Sequence, residues 1–123
     1  MKVKVSELTG AALNWAVSVC QGYTPFSDGI SWIVDVAGQY QQLPNYSTDW
    51  AQGGPIIERE GIEVRKGNPL YFPQGNENGD FYEPLWIAGK HHGQTPLIAA
   101  MRCYVSANLA DKDGIVEIPD ELL

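Results

Sequence analysis

The chain has 123 residues, a formal net charge of -7 at pH 7, and contents of 44% hydrophobic and 19% charged residues. This length predicts one domain over residues 1–123, large enough to hold a core without disulfides or a metal. Four tryptophans and six tyrosines argue against intrinsic disorder. The chain has 8 Lys and Arg residues against 15 Asp and Glu residues. We therefore do not expect a nucleic-acid polymer as partner, because binding to a phosphate backbone requires clustered cations.

Targeting signals are not evident in the sequence. The start "MKVKVSELTG" lacks the apolar core of a signal peptide, and no apolar run approaches the roughly 20 residues of a membrane span. Cys20 and Cys103 lie far apart without CxxC spacing, so we expect two reduced thiols in the core. These features predict a soluble protein of the cytoplasm that makes no membrane contact.

Hydrophobic spacing predicts the first elements. "MKVKV" alternates charged and apolar residues, as in a short strand. A helix is predicted over residues 9–21, with Ser6 or Thr9 as N-cap and Gly22 as its end. After a turn at Ser27-Asp28-Gly29, a strand is predicted over residues 30–36.

The second half contains one clear helix, over residues 96–108, with Thr95 as N-cap and Pro96 at the first helical position. Strands are predicted at 62–66 and 81–87, with an exposed hairpin tip at 73–80 and a last strand in "GIVEI". The predicted fold is α+β: a single small domain in which two main helices pack on an antiparallel sheet that includes 30–36 and 81–87.

Burial is predicted from the same patterns. Trp15 and Trp32 are expected to be more buried than the polar residues of their own elements. The apolar stripe of the second helix is expected to contact the apolar stripe of the first. The residues concerned are Leu97, Met101 and Val105 on the second helix and Leu13 and Val17 on the first.

The stretch "YSTDWAQGGPIIEREGI", residues 46–62, admits two interpretations. In the structural one, Gly54-Pro55 opens a short helix, and the diglycine allows Trp50 to turn inward as an aromatic plug. In the functional one, hydroxyls, a carboxylate, an indole and the backbone of Gly53 and Gly54 form a ligand site. The residues alone leave both interpretations open.

The functional interpretation predicts a small-molecule pocket with two walls. Aromatic rings offer stacking surfaces, and the helix starts at Pro55 and Pro96 offer N–H groups to phosphate or carboxylate. Arg102 is a further candidate ligand for an anion. One wall comprises Tyr46, Thr48, Asp49, Trp50, Gly53 and Gly54, and the other comprises Trp86, His91 and Thr95.

Catalytic and metal chemistry find little support. His91 and His92 are adjacent, so on an extended chain they point to opposite faces, and neither has a ligand at helical spacing; we expect no metal and no cofactor. There is no nucleophile elbow. Asp49, Glu58 and Glu60 lie near the predicted helix start, where a hydrogen-bonding role suits a carboxylate better than that of a general acid. We therefore expect a protein that is not an enzyme.

Three segments together resemble one known family. "KVSELTGAALNWAVSV", "YSTDWAQGGPIIERE" and "TPLIAAMRCYVSANLADKDGIVEIPDEL" occur in the order found in the NinX-like family of small phage proteins, named for the nin region of lambdoid phages. The resemblance implies a phage-encoded accessory protein that acts in the host cell cytoplasm, and it supplies no catalytic residues. It does not extend over about 66–93, where we predict an exposed variable insertion.

Two functions from different classes follow. The first is binding of a small molecule, nucleotide-derived in the phage setting, so that an immune signal of the bacterial host is sequestered. The alternative is an acidic interaction protein that uses the surface from Glu58 to Glu63 and the tail "PDELL" to inhibit or redirect a host protein. A homodimer is expected on general grounds, because small sheet domains often pair their edges.

Overall fold

The computed structural model describes residues 1–67 and 86–122. Over these residues the chain forms helices α1 (Gly10–Cys20), α2 (Trp50–Glu60) and α3 (Pro96–Asn108), with one-turn 3₁₀ helices at Val5–Glu7 and Asp120–Leu122. The strands are short. In chain order they are β1 (Lys2–Lys4), β2 (Phe26–Ser27), β3 (Trp32–Val36), β4 (Gln39–Gln42), β5 (Val64–Lys66), β6 (Trp86–Ala88), β7 (His91–Gly93) and β8 (Ile115–Glu117).

The α+β class is confirmed, and the strands form three small antiparallel sheets: β1–β8, β2–β3–β4 and β5–β6–β7. The prediction that 30–36 and 81–87 share one sheet is wrong, because β3 and β6 belong to different sheets. β3 and β6 each join a neighbouring strand through a two-residue turn, so each pairs locally. The predicted tip at 73–80 and the start of the predicted strand 81–87 lie outside the described residues.

The chain ends meet in the first sheet. Val3 of β1 lies opposite Val116 of β8, and both are buried. The Ile118 N–H donates to the Met1 carbonyl at 2.8 Å, which extends the pairing beyond the strands. The predicted strands at both ends of the chain are therefore confirmed, and they pair with each other.

The β3–β4 hairpin was not predicted. Ala37 and Gly38 form its two-residue turn with φ of 54° and 84°, as the tight primed turns require. The sequence signal was weak because the first position is alanine and not the usual Asn, Asp or Gly. Ile30, predicted within the strand, is instead 94% exposed in the preceding turn, where its N–H donates to Asp28 Oδ1 at 2.9 Å.

Helices α1 and α3 pack together over the core. Leu13 and Val17 of α1 and Met101 and Val105 of α3 are completely buried in one cluster, which confirms the predicted contact for these four residues. Leu97, predicted with them, is buried outside this cluster, beside Gly53 of α2. For Trp32 the prediction is confirmed against Asp35, which is exposed, but not against Ser31 of the predicted strand, which is half-buried as Trp32 is.

The prediction for Trp15 is wrong. The Trp15 ring is only half-buried, whereas Asn14 and Ser18 of the same helix are 5% and 0% exposed. The two polar side chains are four residues apart and so share one face of α1. They are tolerated in the interior because each makes hydrogen bonds there.

The β6–β7 hairpin packs on α3. Gly93 makes the closest approach, since a Cβ atom there would lie 2.5 Å from the Ala99 nitrogen and 2.9 Å from Ile98 Cγ2. Residues 86–93, which fall within the predicted insertion, therefore form part of the packed structure. The variable character of the insertion stays a prediction.

Candidate functional site

The stretch from 46 to 62 contains a longer helix than predicted. Asp49 is the N-cap of α2, and its Oδ1 accepts the Ala51 N–H at 3.0 Å. Pro55 therefore lies inside the helix, and the prediction that Gly54-Pro55 opens it is wrong. The cap satisfies the Ala51 N–H, four residues before the proline. Pro55 lies on the exposed side of α2, where water can reach the carbonyl that loses its partner.

The two glycines of α2 have different surroundings. A Cβ atom on Gly53 would collide with the Tyr46 carbonyl oxygen and lie 2.7 Å from Leu97 Cδ2. On Gly54 it would meet only Trp50 Cε3, at 3.7 Å. Gly53 thus allows α2 to approach α3 and the preceding turn, and the close contact there is with protein backbone.

The aromatic residues of the first predicted wall separate. Tyr46 is 4% exposed and belongs to the core cluster, where its hydroxyl accepts from Ser18 Oγ at 3.4 Å. Burial raises the pKa of Tyr46 above its usual value. Trp50 is 57% exposed, so the prediction that it turns inward as a plug is wrong. The first turn of α2 directs Trp50 to the surface, while the residues before the cap enter the core.

The residues of the second predicted wall have structural partners. Thr95 Oγ1 caps α3 by accepting the Ile98 N–H at 3.1 Å. Arg102 Nε donates to the Leu8 carbonyl at 2.9 Å, and Arg102 Nη1 donates to the His92 carbonyl at 2.8 Å. Arg102 therefore ties α3 to the segment before α1 and to β7.

Trp86 and His91 are both half-buried in the third sheet, on β6 and β7. His91 pairs with Ala88 across the β6–β7 hairpin. Burial lowers the pKa of His91, with smaller contributions from nearby cations. Within the ranges that the structure describes, no three His, Cys, Asp or Glu side chains come together as metal ligands.

A buried polar cluster connects α1 to the turn before α2. Asn14 Oδ1 accepts from the Ser47 N–H at 3.0 Å and from Ser47 Oγ at 2.8 Å. Asn14 Nδ2 also faces Asn45 Oδ1 at 3.5 Å. The polar spacing of Asn14 and Ser18 within an apolar helix was the available sequence signal for this cluster, which positions one side of a cleft.

We call this the α1–β4 cleft. It has a volume of about 320 Å³ and is formed by the start of α1, the start of β3, the end of β4 and the turn before α2. Its side chains offer an indole, amides and hydroxyls without any charge, and Thr48 is the one predicted site residue among them. The lining residues are Gly10, Ala11, Asn14, Ser31, Trp32, Gln42, Leu43, Asn45 and Thr48.

The first turn of α1 adds polarity to this cleft. Thr9 occupies the N-cap position, but its side chain makes no capping hydrogen bond. The first N–H groups of a helix have no partner within the helix and carry partial positive charge. Gly10 and Ala11, which line the cleft, thus contribute a donor-rich edge beside the half-buried indole of Trp32.

A second cleft, of about 430 Å³, lies between the end of α2, strands β5 and β6 and the last turns of α3. Its lining includes the apolar residues Ile62, Ile87 and Ala107 and the charged residues Glu60, Glu63 and Arg65. The end of α2 faces this cleft, so its helix dipole adds negative character. This cleft is consequently unfavourable for phosphate, and none of the predicted site residues lines it.

A third cleft, of about 490 Å³, lies at the chain termini and is lined by residues that include Met1 and Glu121. None of these three clefts is lined by residues from both predicted walls. Within residues 1–67 and 86–122, Tyr46 is in the core, and Thr95 and Arg102 make structural hydrogen bonds, so these three residues lie outside the three clefts. Ligand binding by the predicted residues stays a prediction.

The cysteines are free, but both are half-buried and do not lie in the core as expected. Burial raises the pKa of the Cys20 thiol to about 11 from a reference value of 9.0. Between those values the unfolded thiol loses its proton while the folded thiol keeps it, so the free energy of unfolding should fall as pH rises through this window. Denaturation at pH 8 to 10.5 should show a steeper fall for the wild type than for Cys20→Ala; equal slopes would contradict this.

Along the described residues, 1–67 and 86–122, no helix is both long and apolar enough to cross a membrane. A search of curated proteins gave no match. The family model described as "Bacteriophage P22, NinX" matches residues 4–108 and thus covers most of the chain. This match includes α1, α2, α3 and the residues that line the α1–β4 cleft. The chain therefore belongs to the NinX family of phage proteins.

Proposed function

We propose that this protein is a phage accessory protein that binds a small molecule in the α1–β4 cleft. The observation that carries the proposal is the composition of this cleft, which combines the Trp32 indole with amides, hydroxyls and the uncapped start of α1. An apolar surface with a few convergent polar groups is typical of small-molecule sites. A volume of about 320 Å³ suits a ligand of the size of one nucleotide unit.

The ligand class that fits is an aromatic ring carrying an anionic group. The ring would stack on Trp32, and the anion would accept hydrogen bonds from the first turn of α1. The cleft contains no carboxylate, which matters in a chain with a net charge of -7, because acidic side chains elsewhere on the surface repel anions. A nucleotide-derived signal of the host has this chemistry.

We propose sequestration without catalysis as the mode of action, in the host cytoplasm. The cleft offers no acid, base or nucleophile pair that would act on a bound ligand. Tight binding by itself lowers the free concentration of a signal when the binding protein is in excess. Affinity is then the property on which function depends.

The alternative, an acidic interaction protein, has weaker support. Glu58, Glu60 and Glu63 are all exposed near the end of α2, but Arg59 and Arg65 interrupt the acidic surface. Arg59 Nε donates to Glu60 Oε2 at 3.2 Å, which reduces the local negative charge. A basic host surface would therefore meet alternating charges there.

Ala11→Glu is expected to test the proposed site without loss of folding. Ala11 is exposed in the first turn of α1, where a carboxylate should stabilise the helix by about 0.3–1 kcal/mol. The same carboxylate should weaken binding of an anionic ligand by about tenfold. Isothermal titration with mononucleotides and cyclic dinucleotides would measure the affinity, and denaturation would measure stability.

Two matched variants serve as controls. Ala11→Lys introduces a side chain of similar length with the opposite charge and should retain or strengthen anion binding. Gln39→Glu adds the same charge at an exposed position of β4 outside the cleft and should leave affinity unchanged. The proposal fails if no nucleotide binds the wild type, or if Ala11→Glu binds it as well as Gln39→Glu does.

A further inference from the structure

Strand β4 has an unusual edge. It is an outer strand of the β2–β3–β4 sheet, and all four of its residues, Gln39–Gln42, are exposed. Across the described ranges, 1–67 and 86–122, no strand pairs with its outer side. The sequence QYQQ contains no charge, proline or glycine. A strand of this kind can accept another strand.

Three of the other outer strands, β1, β2 and β5, carry protection against such pairing. β1 and β5 carry pairs of cations, Lys2 with Lys4 and Arg65 with Lys66. β2 has only two residues and directly follows Pro25. Charges, short length and proline are the devices that normally block edge pairing. β4 is also short, with four residues, but it is longer than β1, β2 and β5 and contains neither a charge nor a proline.

The hydrogen-bond pattern of the hairpin fixes which groups face outward. The Leu43 N–H donates to the Trp32 carbonyl at 3.0 Å, next to the opposed pair of Ile33 and Gln42. Bonded and non-bonded pairs alternate in antiparallel sheets. Gln42 and Tyr40 are thus in the non-hydrogen-bonded pairs with β3. Their main-chain N–H and C=O groups therefore point to the outer edge of the sheet.

We propose that a second copy of this chain pairs antiparallel with β4, about a twofold axis at Gln41. Tyr40 then lies opposite the partner's Gln42, Gln42 lies opposite the partner's Tyr40, and each pair exchanges both main-chain hydrogen bonds. The result is a continuous six-stranded sheet in which every outward group of Tyr40 and Gln42 is satisfied.

Charge and apolar surface identify the second copy as the occupant. Two chains of net charge -7 repel each other at most surfaces, but the paired strands bring no charged side chain face to face. Tyr40 is 73% exposed and Phe26 is 41% exposed, and their rings contact edge to face with centroids 5.7 Å apart. Pairing covers part of this aromatic surface on both copies.

The same register relates the dimer to the α1–β4 cleft. Gln42 lines the cleft and is also opposite the partner's Tyr40. Each cleft therefore lies at the boundary between the two copies. The dimer itself requires no ligand, so its test is independent of the proposed binding function.

Charge substitutions at Gln41 test the axis directly. Light scattering and sedimentation of the full chain should give about twice the monomer mass of 13.5 kDa for the wild type. Gln41→Glu and Gln41→Lys each place like charges opposite one another and should raise the dimer dissociation constant by about fivefold or more. An equimolar mixture of the two variants should form a heterodimer tighter than either homodimer.

Gln39→Glu is the control, because in this register Gln39 lies opposite the partner's Leu43 and the new charge meets no like charge. It should dimerise as the wild type does. A monomeric wild type at high micromolar concentration overturns the proposal. So does a dimer that Gln41→Glu leaves unchanged, since that outcome places the interface elsewhere.

Discussion

Gly53→Ala is expected to lower the free energy of unfolding by about 1–3 kcal/mol. The added methyl group would collide with the Tyr46 carbonyl oxygen and approach Leu97 Cδ2 to 2.7 Å. The Tyr46 carbonyl belongs to the backbone, so relief requires α2 to move away from the core. Urea denaturation monitored by circular dichroism would measure the loss.

Gly54→Ala is the matched control, because it makes the same change one residue later in the same helix. Its methyl group would meet only Trp50 Cε3, at 3.7 Å, an ordinary contact. Replacing a helical glycine by alanine should then raise stability by up to about 1 kcal/mol. If Gly53→Ala were as stable as Gly54→Ala, α2 would not pack at Gly53, and the original view of Gly53 as an approach point for a ligand would regain support.

Met101→Ala is expected to lower the free energy of unfolding by about 2–5 kcal/mol, since it removes a large side chain from a closely packed site. Met101 is 0% exposed in the cluster that joins α1 to α3, together with Leu13 and Val17. The cavity would lie between the two helices, inside the cluster that also contains Val3 of β1 and Val116 of β8. Urea denaturation followed by tryptophan fluorescence would measure the change.

Met101→Leu is the matched control, because it replaces the thioether while nearly conserving the volume of the side chain. A swap that nearly conserves volume should cost less than about 1.5 kcal/mol. A loss below about half a kilocalorie for Met101→Ala would indicate a site that collapses or is solvated, contrary to the close packing of α1 against α3.

The ambiguous stretch at 46–62 proves to contain a capped helix whose two ends have different roles. Its start presents Trp50 to solvent, and its middle brings Gly53 against Tyr46 and Leu97. Its end, at Gly61, has φ of 64° in the left-handed conformation that terminates helices. The diglycine is therefore explained by packing at Gly53, and the ligand proposal moves to the cleft beside Thr48.

Local signals in the sequence were sufficient for the elements that they describe. Thr95 and Pro96 predicted the start of α3 because a capping hydroxyl and an N1 proline act within one helical turn. The apolar stripes predicted burial of Leu13 and Met101, since helical spacing places such residues on one face. The three-segment resemblance also predicted the family correctly.

Tertiary structure decided the rest, because the competing local interpretations differ little in free energy. Asp49 as N-cap and Pro55 at the first helical position are both compatible with a helix start. Burial of Tyr46 with exposure of Trp50 selects the start that Asp49 caps. The α1–β4 cleft joins side chains as distant in sequence as Gly10 and Thr48, so no local spacing indicates it. The sequence by itself determined the class of the fold and two of its helices, which depend on short-range periodicity, and it indicated the family through three resembling segments. The division into three sheets and the position of the cleft depend on long-range packing, which becomes defined only when the helices and strands meet.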